Sequence, residues 1–360
     1  MNIFFRVDAS LQIGTGHLMR CLTLANKLKE QGATTTFICR HITESLKQLI
    51  CKNVHLLVLL PRHEVTAMSE SNPLAHAKWL GVTQAEDAQA TMLAIGVSDC
   101  DWLIVDHYAL DVRWESVLRQ SVKNILVIDD IADRKHDCDV LLDQNYYVDM
   151  DSRYVDKVPK HCQLLLGSRY ALLRPEFLTA RQQAKMRSGV VKRILVFFGG
   201  VDADNYTGMT LSALQNIDLN GIAIDVVIGT QHPNREEILS ICKVNNFACH
   251  IQTQHMAELM ATADLAIGAG GSASWERCCV GLPALLVAFA KNQVNIAKSL
   301  DLLGASIYIG ESKSKSISII KNVVYSLLRN QDKVMALSRK AYLLVDGLGL
   351  SRVVGVISEK

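Results

Sequence analysis

Short apolar runs alternate with helical segments along this chain, and in each half the opening run feeds straight into a glycine-rich turn. That alternation constrains the fold more than any other feature. Strands separated by helices pair in parallel and need cover on both faces. Strands are expected at residues 3–7, 35–38, 54–59, 102–105, 125–128, 140–142 and 164–166, and again at 194–198, 223–228, 265–267, 284–287 and 306–309. The segment 17–30 puts Leu18, Leu22, Ala25 and Leu28 on one helical face. Shorter helices are expected at 256–263 and 274–280. The expected class is α/β, with two Rossmann-like domains facing a cleft. Arg174-Pro175 and the polar stretch RQQAKMRSG at 181–189 mark the boundary. This gives a first domain over 1–175, a second over 190–335, and a helical segment over 336–360 that packs back on the first. Residues 64–96 are the least regular part and read as an insertion.

Several classes are excluded by composition. Lys+Arg number 38 against Asp+Glu 36 with no long basic run, so no nucleic-acid footprint is expected. The first apolar run ends at Arg6 and Asp8, unlike a signal peptide, and no uninterrupted apolar stretch reaches membrane-spanning length. The ten cysteines are scattered without a CxxC, which points to reduced thiols in the cytoplasm. No metal-site spacing, P-loop or GxSxG occurs. No metal or cofactor is expected, nor any nucleic-acid or membrane partner, and nothing demands more than a monomer.

The first turn reads Arg6-Val7-Asp8, then Gly14-Thr15-Gly16-His17 opening a helix. Gly14 and Gly16 permit positive φ and close approach of a ligand. The third glycine of a dinucleotide fingerprint is replaced by Met19. His17 stands at the mouth of a parallel sheet, and imidazole is the side chain best suited to take a proton near neutral pH. Spacing alone leaves a capping or packing histidine open. Arg20, one turn on, shares its face. Arg6 and Asp8 either counter-charge this group or simply pair with each other. VDHY at 105–108 and IDD at 128–130 end two further strands, with Asp106, His107 and Tyr108 able to serve chemistry or to form a capped turn.

Two turns carry the second half. FGGVDADN at 198–205 offers Gly200 and Asp202 as ligand contacts, with Asp204 or Asn205 able to cap the next helix. GAGGSASWE at 268–276 puts Gly270, Gly271, Ser272 and Ser274 at a helix start, a composition suited to a diphosphate. Glu276 either accepts ribose hydroxyls or only favours the helix dipole. Asn292 and Gln293 follow the run 284–290 and either contact a ligand or cap a helix.

Six stretches in order, GTGHLMRCLTLA at 14–25, VDHY at 105–108, YALLRPEF at 170–177, FFGGVD at 197–202, GAGGSASWE at 268–276 and NQ at 292–293, resemble the UDP-sugar hydrolases of pseudaminic acid biosynthesis. That family is similar to glycosyltransferases of the GT-B fold, including the bacterial enzyme that makes lipid II. The resemblance spans nearly the whole chain. It implies hydrolysis of a UDP-linked 2,4-diacetamido-2,4,6-trideoxy sugar, with His17 as general base for a water attacking the anomeric carbon, inversion, and no metal. It implies that Tyr108 and Asn292 surround the sugar and that Arg174 contacts substrate near the hinge. Glu276 would hold the ribose, while Gly271, Ser272 and Ser274 face the diphosphate. A GT-B transferase using a UDP-amino sugar is the alternative.

Overall fold

The computed structural model describes residues 1–10, 13–62, 74–219, 221–289, 291–311 and 313–359, and of residues 291–292 and 313–316 the backbone alone. In chain order the first part runs β1 (Asn2–Val7), α1 (Gly16–Glu30), β2 (Thr34–Cys39), α2 (Glu44–Lys52), β3 (Leu56–Leu59), α3 (Gln84–Ile95), β4 (Trp102–Asp106), α4 (Val112–Leu118), β5 (Asn124–Ile128), β6 (Val140–Asp143), β7 (Gln163–Leu166) and α5 (Pro175–Gln183). The second runs β8 (Arg193–Phe197), α6 (Tyr206–Leu214), β9 (Ala223–Ile228), α7 (Arg235–Asn245), β10 (Ala248–Ile251), α8 (Met256–Thr262), β11 (Leu265–Ala269), α9 (Ala273–Cys279), β12 (Ala284–Val287), α10 (Lys291–Leu303), β13 (Ile307–Tyr308), α11 (Lys313–Leu328), α12 (Gln331–Leu344) and α13 (Gly349–Glu359).

Two compact units result, Met1–Asn145 with Asp149–Leu172 and Gly349–Lys360, and Tyr146–Val148 with Leu173–Leu348. Among the described residues, the first unit holds a sheet of order β3-β2-β1-β4-β5-β6-β7 and the second one of order β10-β9-β8-β11-β12-β13. Every ladder is parallel, as between β1 and β4, where Phe5 faces Ile104. Strand order reverses beside β1 in the first sheet and beside β8 in the second. The carboxyl ends of β1/β4 and β8/β11 are therefore the places where such sheets take ligands.

The first core buries Ile3, Phe5, Leu18, Leu22 and Trp102 on one face of its sheet. Leu103, Val105, Trp114 and Leu118 cover the other. The second unit buries Ile194, Val196, Leu211, Ile267 and Leu285.

Only α13, rather than the whole of 336–360, joins the first unit. Its Leu350, Val353, Val354 and Ile357 enter the first core, and Trp102 Nε1 donates to the Ile357 carbonyl at 3.1 Å. Helix α12 instead lends Val334 and Leu337 to the second core. The stretch Gln331–Glu359 is long and apolar enough to cross a membrane by composition. It is broken after Leu344, where Gly347 takes φ +82°.

The boundary also differs from expectation, because 173–189 belongs to the second unit instead of linking the two. Arg181 Nη1 donates to the carbonyls of Cys279, Tyr342 and Val345, and Arg187 to those of Met260, Ala263 and Val280. These guanidiniums satisfy carbonyls around helix ends, which fixes the segment. Edge strand β10 was not anticipated. Its sequence, ACHI, offers little apolar signal, and His250 pairs with Asp225 of β9 at 2.9 Å.

Candidate functional site

At the reversal point of the first sheet, the loop after β1 folds back so that Gly14 N–H donates to the Ser10 carbonyl at 2.8 Å. Gly14 takes φ +83°, a conformation that favours glycine. Residues 11–12 lie outside the described ones. Gly16 opens α1, and a Cβ there would meet nothing within 4 Å, so packing does not explain it.

His17 Nδ1 lies 2.5 Å from Asp106 Oδ1 at the end of β4. Arg20 reaches the same carboxylate, Nε to Oδ2 at 2.6 Å and Nη2 to Oδ1 at 2.7 Å, and its Nη1 donates to Asp130 Oδ2 at 2.9 Å. Burial works against charge on Asp106, but the Arg20 guanidinium and then His17 outweigh it and hold the carboxyl well below the usual range. An ionised Asp106 accepts a hydrogen bond from Nδ1–H of His17, so that in the neutral ring Nε2 carries the lone pair; the network assigns this tautomer. Arg20 Nη2, 3.2 Å from Nδ1, is then a neighbouring donor whose hydrogen bond goes to Asp106.

Tyr108 packs edge-on against His17, ring centroids 4.6 Å apart, and stacks on Trp79 at 5.7 Å. His76 completes the group at 5.2 Å from Tyr108. The Tyr108 hydroxyl donates to Asp130 and the residue is buried, so the hydroxyl serves the charge network rather than standing open to a sugar. Irregular segment 64–96 thus supplies part of the wall beside His17. Residues 63–73 lie outside the described ones.

Arg6 and Asp8 do not join this group. Arg6 is 0% exposed and bonds Asp8 at 2.8 Å and Asp87 of α3 at 2.8 Å. Asp8 also accepts from the backbone of Arg40 and His41, with His107 Nε2 at 3.2 Å. Of the two roles open to the pair, contact with substrate beside His17 or a mutual ion pair, the structure gives the second, a sealed ion network tying β1, β2, α3 and β4 together. Such a network is costly to break, since either partner left alone is a buried charge.

In the second unit the turns after β8 and β11 are neighbours through their strands. A Cβ on Gly229, which follows β9, would lie 2.0 Å from the Gly200 carbonyl oxygen, so the turns after β8 and β9 touch backbone to backbone. Asp202 is not a free ligand group. Its carboxylate accepts from Tyr206 and Thr207 N–H at 2.9 and 2.8 Å, capping α6 beside Asn205, and His232 Nε2 lies 3.3 Å away.

Gly270 N–H is spent on the Val287 carbonyl at 3.0 Å, and a Cβ there would approach Ala297 to 3.3 Å. Gly270 is therefore small for packing against α10 and offers no amide to an anion. Gly271 lies beside the Gln293 amide, whose Nε2 would sit 3.5 Å from an added Cβ. Ser272 is exposed, whereas Ser274 is buried and its Oγ accepts from Arg277 at 3.2 Å. Gln293 Oε1 accepts from Phe289 N–H at 3.3 Å. Asn292 opens α10, and its side chain lies outside what is described.

Glu276 sits in the first turn of α9, its side chain 21% exposed, with Arg174 Nη2 at 3.6 Å. Burial raises its carboxyl, and Arg174 opposes this. Arg174 also pairs with Glu176 at 2.9 Å.

Asp106 and Asp130 were marked in the sequence only as strand-end aspartates able to serve chemistry or to cap a turn, whereas Trp79 and Arg134, whose guanidinium lies 5.8 Å from the Tyr108 ring centroid, were not singled out. The strand-end position of both aspartates was the available signal. Among the described residues no group of three or more His, Cys, Asp and Glu is arranged to hold a metal ion.

Residues 193–346 match the glycosyltransferase family 28 C-terminal domain. The chain is similar to UDP-2,4-diacetamido-2,4,6-trideoxy-beta-L-altropyranose hydrolase of Campylobacter jejuni, 26% identical over 309 residues covering 85% of this chain and 98% of that protein. It is 27% identical over 215 residues to spore coat polysaccharide biosynthesis protein SpsG of Bacillus subtilis, covering 59% of this chain and 62% of that one. Among solved structures, MurG of Acinetobacter baumannii superposes with a TM-score of 0.67 at 14% identity, covering 100% of this chain and 99% of that one. The chain thus has the GT-B fold of two Rossmann-like α/β domains, the second of which matches a glycosyltransferase C-terminal domain.

Proposed function

We propose that this protein hydrolyses a UDP-linked 2,4-diacetamido-2,4,6-trideoxy sugar to UDP and the free sugar. The observation that carries the reading is His17 held by ionised Asp106 at 2.5 Å, at the reversal point of the first sheet. The similarity to the Campylobacter hydrolase, which extends over 98% of that protein, supports the substrate class. His17 Nε2 takes a proton from water as the oxygen attacks the anomeric carbon. The C–O bond to UDP breaks, and a single displacement inverts configuration. A positioned general base contributes about 10²–10⁴ in rate. Glu276 accepts the ribose hydroxyls, and the turn around Gly271 and Ser272 receives the diphosphate as it gains charge. The substrate is a small molecule, and the protein acts as a cytoplasmic monomer without metal, membrane or nucleic-acid partner.

Incubation with the UDP-sugar in ¹⁸O-water tests this. Label on the sugar with inverted configuration supports attack at carbon, and label on UDP overturns it. The match of 193–346 to a glycosyltransferase domain favours one second reading, transfer of the sugar to an alcohol. Turnover that appears only with an added acceptor establishes that alternative.

A further inference from the structure

Among the described residues, buried arginines come with carboxylates, with one exception. Arg6 pairs with Asp8 and Asp87, Arg20 with Asp106 and Asp130, Arg40 with Asp87, and Arg134 with Asp129. Arg277 is 2% exposed and has no carboxylate within ion-pair distance among the described residues. Its Nη2 donates to the Ala269 carbonyl and to Ser274 Oγ, and its Nε is buried without a hydrogen-bond partner. The guanidinium lies against the turn that joins β11 to α9, and a side chain at Gly268 would come within 2.9 Å of Nη1. Burial lowers Arg277 to about 10, so it remains a cation at neutral pH. The neighbouring Glu276 attracts it without forming an ion pair, and a buried charge with no paired counter-ion is costly.

We infer that the counter-charge of Arg277 is an anion received at the turn Ala269–Ser274, which makes Arg277 a positioning residue for a nucleoside diphosphate. The inference rests on the reading that the second unit binds UDP, and it adds the cation that reading lacked. No lysine or arginine belongs to the turn GAGGSAS itself. Arg277 supplies fixed positive potential from behind the loop and holds its shape through Ala269 and Ser274, without touching the ligand. Diphosphate recognition is then coupled to one buried side chain.

The test measures UDP and uridine binding to the full chain by calorimetry, in wild type, Arg277→Met and Arg277→Lys, with thermal unfolding as a check on folding. Arg277→Met is expected to weaken UDP by about tenfold or more, as for a buried cation whose potential acts through a low-dielectric interior, and to leave uridine within about twofold. The Lys variant keeps a charge that burial lets go more easily. Its UDP affinity should fall as pH rises from about 7 to 9 while wild type stays flat. A purely structural arginine would not move that profile. UDP binding to Arg277→Met at wild-type strength, or equal loss of UDP and uridine, overturns the inference alone. Should Arg277→Met not fold, a flat profile in Arg277→Lys overturns it. Uridine binding without any gain from the diphosphate in wild type overturns the inference and the nucleotide reading together.

Discussion

The imidazole of His17, in the first turn of α1, and the carboxylate of Asp106, at the end of β4, meet at 2.5 Å although 89 residues separate them in sequence. Asp106 fixes the tautomer, so its loss should act through His17 and not through nucleotide affinity. Asp106→Asn and His17→Asn are each expected to lower kcat by about 10²–10⁴ with UDP binding within about twofold of wild type. Steady-state kinetics and UDP calorimetry check this. An Asp106→Asn enzyme with unchanged kcat would remove Asp106 from the mechanism.

Arg20 bridges Asp106 and Asp130, and Asp130 in turn takes the Tyr108 hydroxyl. Arg20→Met leaves two buried carboxylates without their cation. Removing one partner of such a network costs about 3–5 kcal/mol. Urea unfolding near pH 7 should show that loss, with part of it recovered in Arg20→Lys. A loss below about 1 kcal/mol would mean the network is solvated in solution.

Much of this arrangement was legible before any coordinates. Period and flanking glycines marked the strands that build both sheets, because a buried parallel strand reads as a short apolar run. Gly14, Gly16 and His17 marked the carboxyl end of β1, where the strand order reverses. What the sequence hid is pairing. Arg6-Val7-Asp8 reads the same whether its charges face a ligand or seal a core, and the partner that decides the matter, Asp87, lies in the irregular segment. Asp202 and Gly270 carry motif composition, yet their polar groups are spent on α6 and on β12. Only strand order shows that Asp106, and not Asp8, reaches His17.

Asp143 provides a pH signature. Burial, then the charge of Asp130, pushes its carboxyl up to about 8, against an unfolded value near 3.9. Its Oδ1 accepts from Asn145 N–H and its Oδ2 meets the Tyr154 hydroxyl, both at 3.0 Å. Between those two values the folded state holds a proton that the unfolded state has released. Stability contributed by Asp143 is therefore lost as pH rises across that window. Asp143→Asn, neutral at every pH, should be more stable than wild type by about 1–3 kcal/mol at pH 8.5. The difference should vanish near pH 4. Denaturant midpoints at both pH values measure it, and a pH-independent difference would show that Asp143 does not titrate there.

Glu276 gives the sharpest test of where the nucleotide sits. Its carboxylate is in the first turn of α9, with Arg174 at 3.6 Å opposing the rise that burial causes. A ribose offers two hydroxyl donors to such a carboxylate, and hydrogen bonds to a charged acceptor are about twice as strong as neutral ones. Glu276→Gln should therefore weaken UDP by about tenfold or more. Neither protein should distinguish itself on 2′,3′-dideoxy-UDP, which lacks both hydroxyls, because the group lost from the protein has no counterpart on that ligand. The raised carboxyl adds a second signature. Wild-type UDP affinity should decline on acidification at a higher pH than an ordinary glutamate requires, and Glu276→Gln should lack that decline. Loss of dideoxy-UDP affinity in the variant equal to the loss of UDP affinity would assign Glu276 to the shape of α9 instead of the ribose.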